Sequence, residues 1–115
     1  MAPEATRLEV SRRTLPAGEE AADIEGELDI ATADLALKFV QEIIDSHHGP
    51  VVVNLAGIRF CDARGLRALL RMADYAEQAG CSFRVVSPSP MLTRLMRITQ
   101  LDGKFLAPRD ARKPA

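Results

Sequence analysis

Hydrophobic and polar positions alternate along this chain with two different periods. Leu8-Glu9-Val10 alternates with period two, as a short strand does, and Pro16-Ala17-Gly18 supplies a turn after it. The stretch Ala21–Leu28 predicts a second strand that hairpins back on the first. From about Ala33 to Ser46 the period changes. Ala36, Phe39, Val40, Ile43 and Ile44 fall at i, i+3, i+4, i+7 and i+8, one apolar stripe of a helix. Thr32 stands where an N-cap belongs, Asp34 suits the positive end of the helix dipole, and Gly49-Pro50 stops the helix.

Val51–Leu55 is a continuous, mostly β-branched run, the pattern of a strand buried on both faces. A second helix is predicted from Ala63 to Gln78, burying Leu66, Leu69, Leu70, Ala73 and Ala76 and ending at Ala79-Gly80. Cys81–Val86 is the next strand. Ser87-Pro88-Ser89-Pro90 turns into a third helix carrying Met91, Leu92, Leu95, Met96 and Ile98, and Leu101–Leu106 closes the domain as a strand or turn. Strands separated by helices of this length require parallel, right-handed crossovers. The predicted fold is therefore a small α/β domain over residues 7–106, a mixed four- to five-stranded sheet covered mainly on one face by helices. Residues 1–6 and 107–115 lack an apolar period and read as flexible ends.

Composition narrows the function. The 115 residues suffice for one core, and 47% hydrophobic with 27% charged residues is ordinary for a globular chain. Fifteen basic against sixteen acidic residues leave a net charge of -1, which argues against a nucleic-acid binder. No apolar run approaches the roughly 20 residues of a membrane span, and Met1-Ala-Pro-Glu lacks the build of a secretory signal. A cytoplasmic protein without membrane contact is the expectation. Cys61 and Cys81 form no Cys-x-x-Cys pair, and the adjacent His47 and His48 read as solvated residues at a helix end, so no metal is expected. A Cys61–Cys81 bridge is disfavoured because the two lie at opposite ends of neighbouring strands. There is no Ser/His/Asp constellation and no phosphate-cradling glycine motif. The chain reads as a binding protein without cofactor, not as an enzyme.

Two segments converge where an open α/β sheet presents its carboxyl-end crevice. One is Gly26–Thr32 and the other Gly57–Leu66, both read as loops, and each puts an aspartate, Asp29 or Asp62, before a helix. Spacing alone allows plain capping for both. Arg64, Arg67 and Arg71 follow at i, i+3 and i+7, a basic stripe that is either a solvated face or a patch for an acidic partner. Cys61, at the helix start, is a candidate redox switch beside the simpler reading of a small buried residue.

These same segments carry a resemblance. Gly26-Glu27-Leu28-Asp29-Ile30-Ala31-Thr32-Ala33, Val51–Phe60, Asp62-x-x-Gly65-Leu66, Val86-Ser87-Pro88-Ser89-Pro90 and Thr99-Gln100-Leu101-Asp102 are together similar to the STAS domain. That family includes the bacterial anti-sigma factor antagonists. The resemblance implies binding to an anti-sigma factor with a kinase-like ATP-binding fold, which frees a sigma factor for transcription, including stress-response transcription. It implies a partner surface of Asp29, Thr32, Asp62, Ala63, Arg64, Gly65, Leu66 and Arg67. In the family the phosphoacceptor is a serine or threonine directly after the loop aspartate; here Ala63 takes that place. Three readings follow from the missing hydroxyl: an antagonist controlled independently of phosphorylation, a STAS scaffold or accessory subunit of a stress-sensing or lipid-transport complex, or a module binding a small nucleotide or lipid. Thr32 is a secondary candidate acceptor beside its N-cap reading. An exposed first strand also leaves room for weak pairing with a second copy.

Overall fold

A computed structural model describes residues 7–99. Its elements are β1 (Leu8–Thr14), β2 (Glu20–Leu28), α1 (Ala33–His47), β3 (Val51–Cys61), α2 (Ala63–Gln78), β4 (Phe83–Val86) and α3 (Pro90–Ile98), in the order the sequence predicts. The hairpin pairs β1 antiparallel to β2, from Leu8 opposite Gly26 to Thr14 opposite Glu20. β2–β3 and β3–β4 are parallel, giving a mixed sheet in the order β1-β2-β3-β4 among the described residues. Both helical crossovers step the same way across the sheet, so right-handed connections place α1 and α2 together on one face. The two helices pack against each other there. The closing segment Leu101–Leu106, which would supply a fifth strand, lies outside the described residues.

One hydrophobic cluster unites the sheet and the helices. Ile24, Leu28, Val53 and Leu55 point up from the strands to meet Val40, Ile43 and Ile44 of α1 and Leu69 and Met72 of α2. Full burial of each large aliphatic side chain contributes roughly 1.5–3 kcal/mol. α3, begun at Ser89, whose hydroxyl oxygen accepts from the Leu92 backbone N–H at 3.1 Å, adds Leu92 and Met96. Met91 and Ile98 of the predicted α3 stripe are exposed. The predicted stripes of the two longer helices need a rotation. Leu37 rather than Phe39 is buried in α1, and Ala68 and Met72 are buried in α2 while Leu70 is only half-buried. Each helix packs against the other as well as the sheet, which widens its buried arc toward its neighbour.

The larger correction concerns β3. Residues 57–61, read as loop, continue the strand to Cys61. Asp23 pairs with Asn54 but Glu25 with Gly57, and Gly26 pairs with Ile58 but Glu27 with Phe60, so β3 carries an extra residue at two places. Each bulge resets the alternation, keeping Ile58 and Cys61 against the core. Gly26 sits between them with φ 113°, and a Cβ there would lie 2.0 Å from the Arg7 carbonyl oxygen. Only glycine fits that position. His47 also departs from expectation: it is half-buried, and its Nε2 is enclosed without a hydrogen-bond partner.

Candidate functional site

The carboxyl ends of β2 and β3 lie side by side, and the helices they feed start there. The Asp62 backbone N–H donates to the Leu28 carbonyl at 3.2 Å, tying the two segments together as the sequence predicts. Because β3 runs to Cys61, a single residue separates it from α2. That residue, Asp62, has an extended backbone, and its Oδ1 accepts from the Gly65 N–H at 2.9 Å. It is the N-cap of α2. Gly65 presses the first turn onto the sheet: a Cβ there would lie 2.2 Å from the Leu28 carbonyl oxygen and 2.9 Å from Cys61 Sγ.

The β2–α1 segment is held from within. Asp29, only 7% exposed, pairs with Arg7 and accepts from the Ala31 N–H at 2.9 Å. Arg7 also pairs with Glu27 at 3.2 Å, so the start of β1 clasps the end of β2. Thr32 does not cap α1 with its side chain, contrary to the sequence expectation. Its buried hydroxyl donates to the Glu27 carbonyl at 2.7 Å, and its oxygen accepts from the Asp29 N–H at 3.0 Å. The hydroxyl thus closes the turn and is buried within it.

The eight residues expected at a partner surface therefore divide. Ala63, Arg64 and Arg67 are exposed on the first turns of α2. Asp62 is half-buried in its capping role, whereas Asp29, Thr32, Gly65 and Leu66 are buried and shape the surface from below. Between α1 and α2 runs a groove of about 360 Å³, walled by Ile30, Ala33, Asp34 and Leu37 on one side and Arg64, Arg67, Ala68 and Arg71 on the other. Ile30, 64% exposed, stands at its lip, and Phe60, 46% exposed, lies at the end of the neighbouring strand. The sequence reading missed both. Their signal was available: each is a large apolar residue outside any helical stripe.

Cys61 does not suit a redox switch. Burial, with the Asp62 carboxylate adding to it, pushes the thiol up to about 12, so it stays protonated at neutral pH. Both cysteines are free thiols. Asp29 and Asp62 are each committed to structural partners and form no dyad with each other. Among the described residues no group of three or more His, Cys, Asp or Glu converges on a metal position, and no helix is long and apolar enough to cross a membrane. Guanidinium groups, aliphatic side chains and one carboxylate line the groove between α1 and α2.

A family model described as "Mlab, STAS domain" matches residues 15–108. No curated protein matches the chain. Among solved structures, an anti-sigma factor antagonist from Mycobacterium paratuberculosis superposes with a TM-score of 0.73 at 23% identity, covering 85% of this chain and 82% of that one. The unphosphorylated anti-sigma factor antagonist SpoIIAA of Bacillus gives 0.70 at 15% identity, over 93% and 99% of the two chains. A sulfate transporter family protein from Wolinella succinogenes gives 0.69 at 22% identity, over 84% and 78%. At these identities the likeness establishes the fold.

Proposed function

Because the chain belongs to the STAS-domain family, we propose that it is a cytoplasmic anti-sigma factor antagonist that binds its partner through the exposed start of α2 and is controlled independently of phosphorylation there. The observation that carries this reading is Ala63. It occupies the first helical position after the Asp62 cap, exposed, beside Arg64 and Arg67. SpoIIAA is known in both unphosphorylated and phosphorylated forms. A phosphate would add about -1.5 to -2 charge at such an interface and break a fit made for a neutral surface. With a methyl group in place of a hydroxyl, that route is closed and the binding surface remains. The partner of this reading is an anti-sigma factor with a kinase-like ATP-binding fold, whose capture releases a sigma factor.

A second reading has its own support. The matching family model is named for Mlab, and a sulfate transporter family protein shares the fold. On that reading the chain is an accessory STAS subunit of a transport complex, lipid transport included, using the same surface.

Affinity capture from native lysate, with the intact mass of the bait recorded, separates the two. Recovery of an ATPase-fold anti-sigma factor on an unmodified bait is the expected result. Recovery of transporter subunits instead moves the function to the second reading, and a bait carrying a phosphate would show that the switch lies elsewhere in the chain.

A further inference from the structure

Four arginines at the sheet are matched within the fold: Arg7 with Glu27 and Asp29, Arg12 with Glu20, Arg13 with Asp23, and Arg84 with Glu19. Arg59 of β3 and Arg94 and Arg97 of α3 are exposed outside the groove between α1 and α2. Arg64, Arg67 and Arg71 are exposed along one side of α2 and make no ion pair among the described residues. All three line the groove against α1. Their spacing of seven residues spans about 10 Å at 1.5 Å per residue. Arg64 lies in the first turn, where the helix dipole disfavours a cation, so helix stability does not account for it.

We propose that this groove receives an acidic segment of the partner polypeptide, with carboxylates spaced to meet Arg64, Arg67 and Arg71 and an apolar side chain seated at Ile30. The inference rests on the binding-module reading above and adds the chemistry of the partner. Planar guanidinium groups suit carboxylates through paired N–H donors. The opposite wall narrows the choice of anion. Asp34 lies across the groove together with Ala33 and Leu37. A polyphosphate, or an anionic membrane surface, would meet that carboxylate with like charge. A peptide can place its acids toward α2 and its apolar or uncharged side chains toward α1. The chain's own end segment has the wrong sign, since residues 107–115 carry Arg109, Arg112 and Lys113 against Asp110 alone.

The test uses the full chain and defined probes. A fluorescent helical peptide with glutamates at i, i+3 and i+7 and one leucine is titrated by anisotropy, and its Lys-for-Glu counterpart is titrated in parallel. The acidic peptide is expected to bind at least about tenfold more tightly, with affinity falling as salt rises through the range where the Debye length drops below about 10 Å. Amide shifts are expected at Ile30, Arg64, Arg67 and Arg71. The variant carrying Arg64→Glu, Arg67→Glu and Arg71→Glu together should reverse the preference, a readout that a misfolded protein would not give. Equal binding of the two peptides, an unchanged preference in the triple variant, or shifts away from the groove would overturn the proposal. So would binding of inorganic phosphate or phosphatidylglycerol vesicles in place of the acidic peptide. These results stand apart from the function reading: peptide binding without any anti-sigma factor in the capture leaves an acidic groove serving another partner. An anti-sigma factor bound equally by the triple variant but lost on Ala63→Glu removes the acidic groove and leaves the antagonist.

Discussion

A methyl group on Gly65 would collide with the Leu28 carbonyl oxygen, a backbone atom held in the sheet. Alanine is favoured over glycine inside a helix by about 1 kcal/mol. Here the collision dominates, because neither the strand end nor the first turn of α2 can move without loosening the Asp62–Leu28 tie. Gly65→Ala is expected to cost about 1–3 kcal/mol, the usual range for overpacking, seen as a lower urea midpoint. A variant as stable as the parent would contradict this packing. The neighbouring Cys61 supplies a chemical check. With its thiol pushed up to about 12, the thiolate fraction is roughly a thousandfold below that of a free cysteine of pKa about 8.5. In a Cys81→Ser protein, iodoacetamide at neutral pH should modify Cys61 far more slowly than glutathione. Alkylation as fast as glutathione would restore the redox reading. Thr32 shows the limit of residue statistics. A threonine before a helix reads as an N-cap, yet its hydroxyl goes to the Glu27 carbonyl, which no local pattern places within reach.

At the scale of elements, the periods of two and 3.6 sufficed to order seven elements correctly. They failed where the fold breaks its own alternation. The continuous apolar run of β3 ends at Leu55, and the strand goes on only because two bulges, one at Leu55–Ala56 and one at Arg59, keep it paired with β2. The rotated stripes of α1 and α2 were hidden for a related reason: Leu37 and Ala68 are buried by helix–helix contact, which a single-helix pattern does not encode. The face of the sheet away from the helices carries its own prediction. There Asp23 accepts from the Arg13 guanidinium at 2.6 Å and from Asn54 at 2.8 Å. The Arg13 hydrogen bond, with Asn54 helping, holds its carboxyl below the ordinary carboxylate range. A carboxyl depressed in the folded state stabilises fully above its unfolded pKa of about 3.9 and loses that contribution as pH falls through the folded value. Asp23→Asn should therefore flatten part of the stability loss below about pH 4 in acid titrations followed by circular dichroism. An identical acid limb in both proteins would show that this pair does not stabilise the hairpin.

Across the whole molecule, the buried residues of the site act on its shape, and the proposed function assigns recognition to the exposed ones. Asp62 and Gly65 fix α2 against the strand ends, Arg7, Asp29 and Thr32 fix the opposite segment, and the surface left over is Ile30, Ala63 and the three arginines. The meeting of the two segments was legible in the sequence from the two aspartates and the helix starts. Which of their residues are buried and which exposed was not, because burial arises only when β2, β3 and α2 meet. The most direct measurement is a calorimetric titration of the captured anti-sigma factor with the parent chain and with Ala63→Glu. Ala63 is exposed at the first helical position, so the substitution should leave the circular dichroism unchanged while placing a charge where a phosphate would sit. Binding through the start of α2 requires tight association of the parent and at least a tenfold loss, about 1.4 kcal/mol, for Ala63→Glu. Equal affinity of the two proteins would contradict it, since the start of α2 would then lie outside the interface.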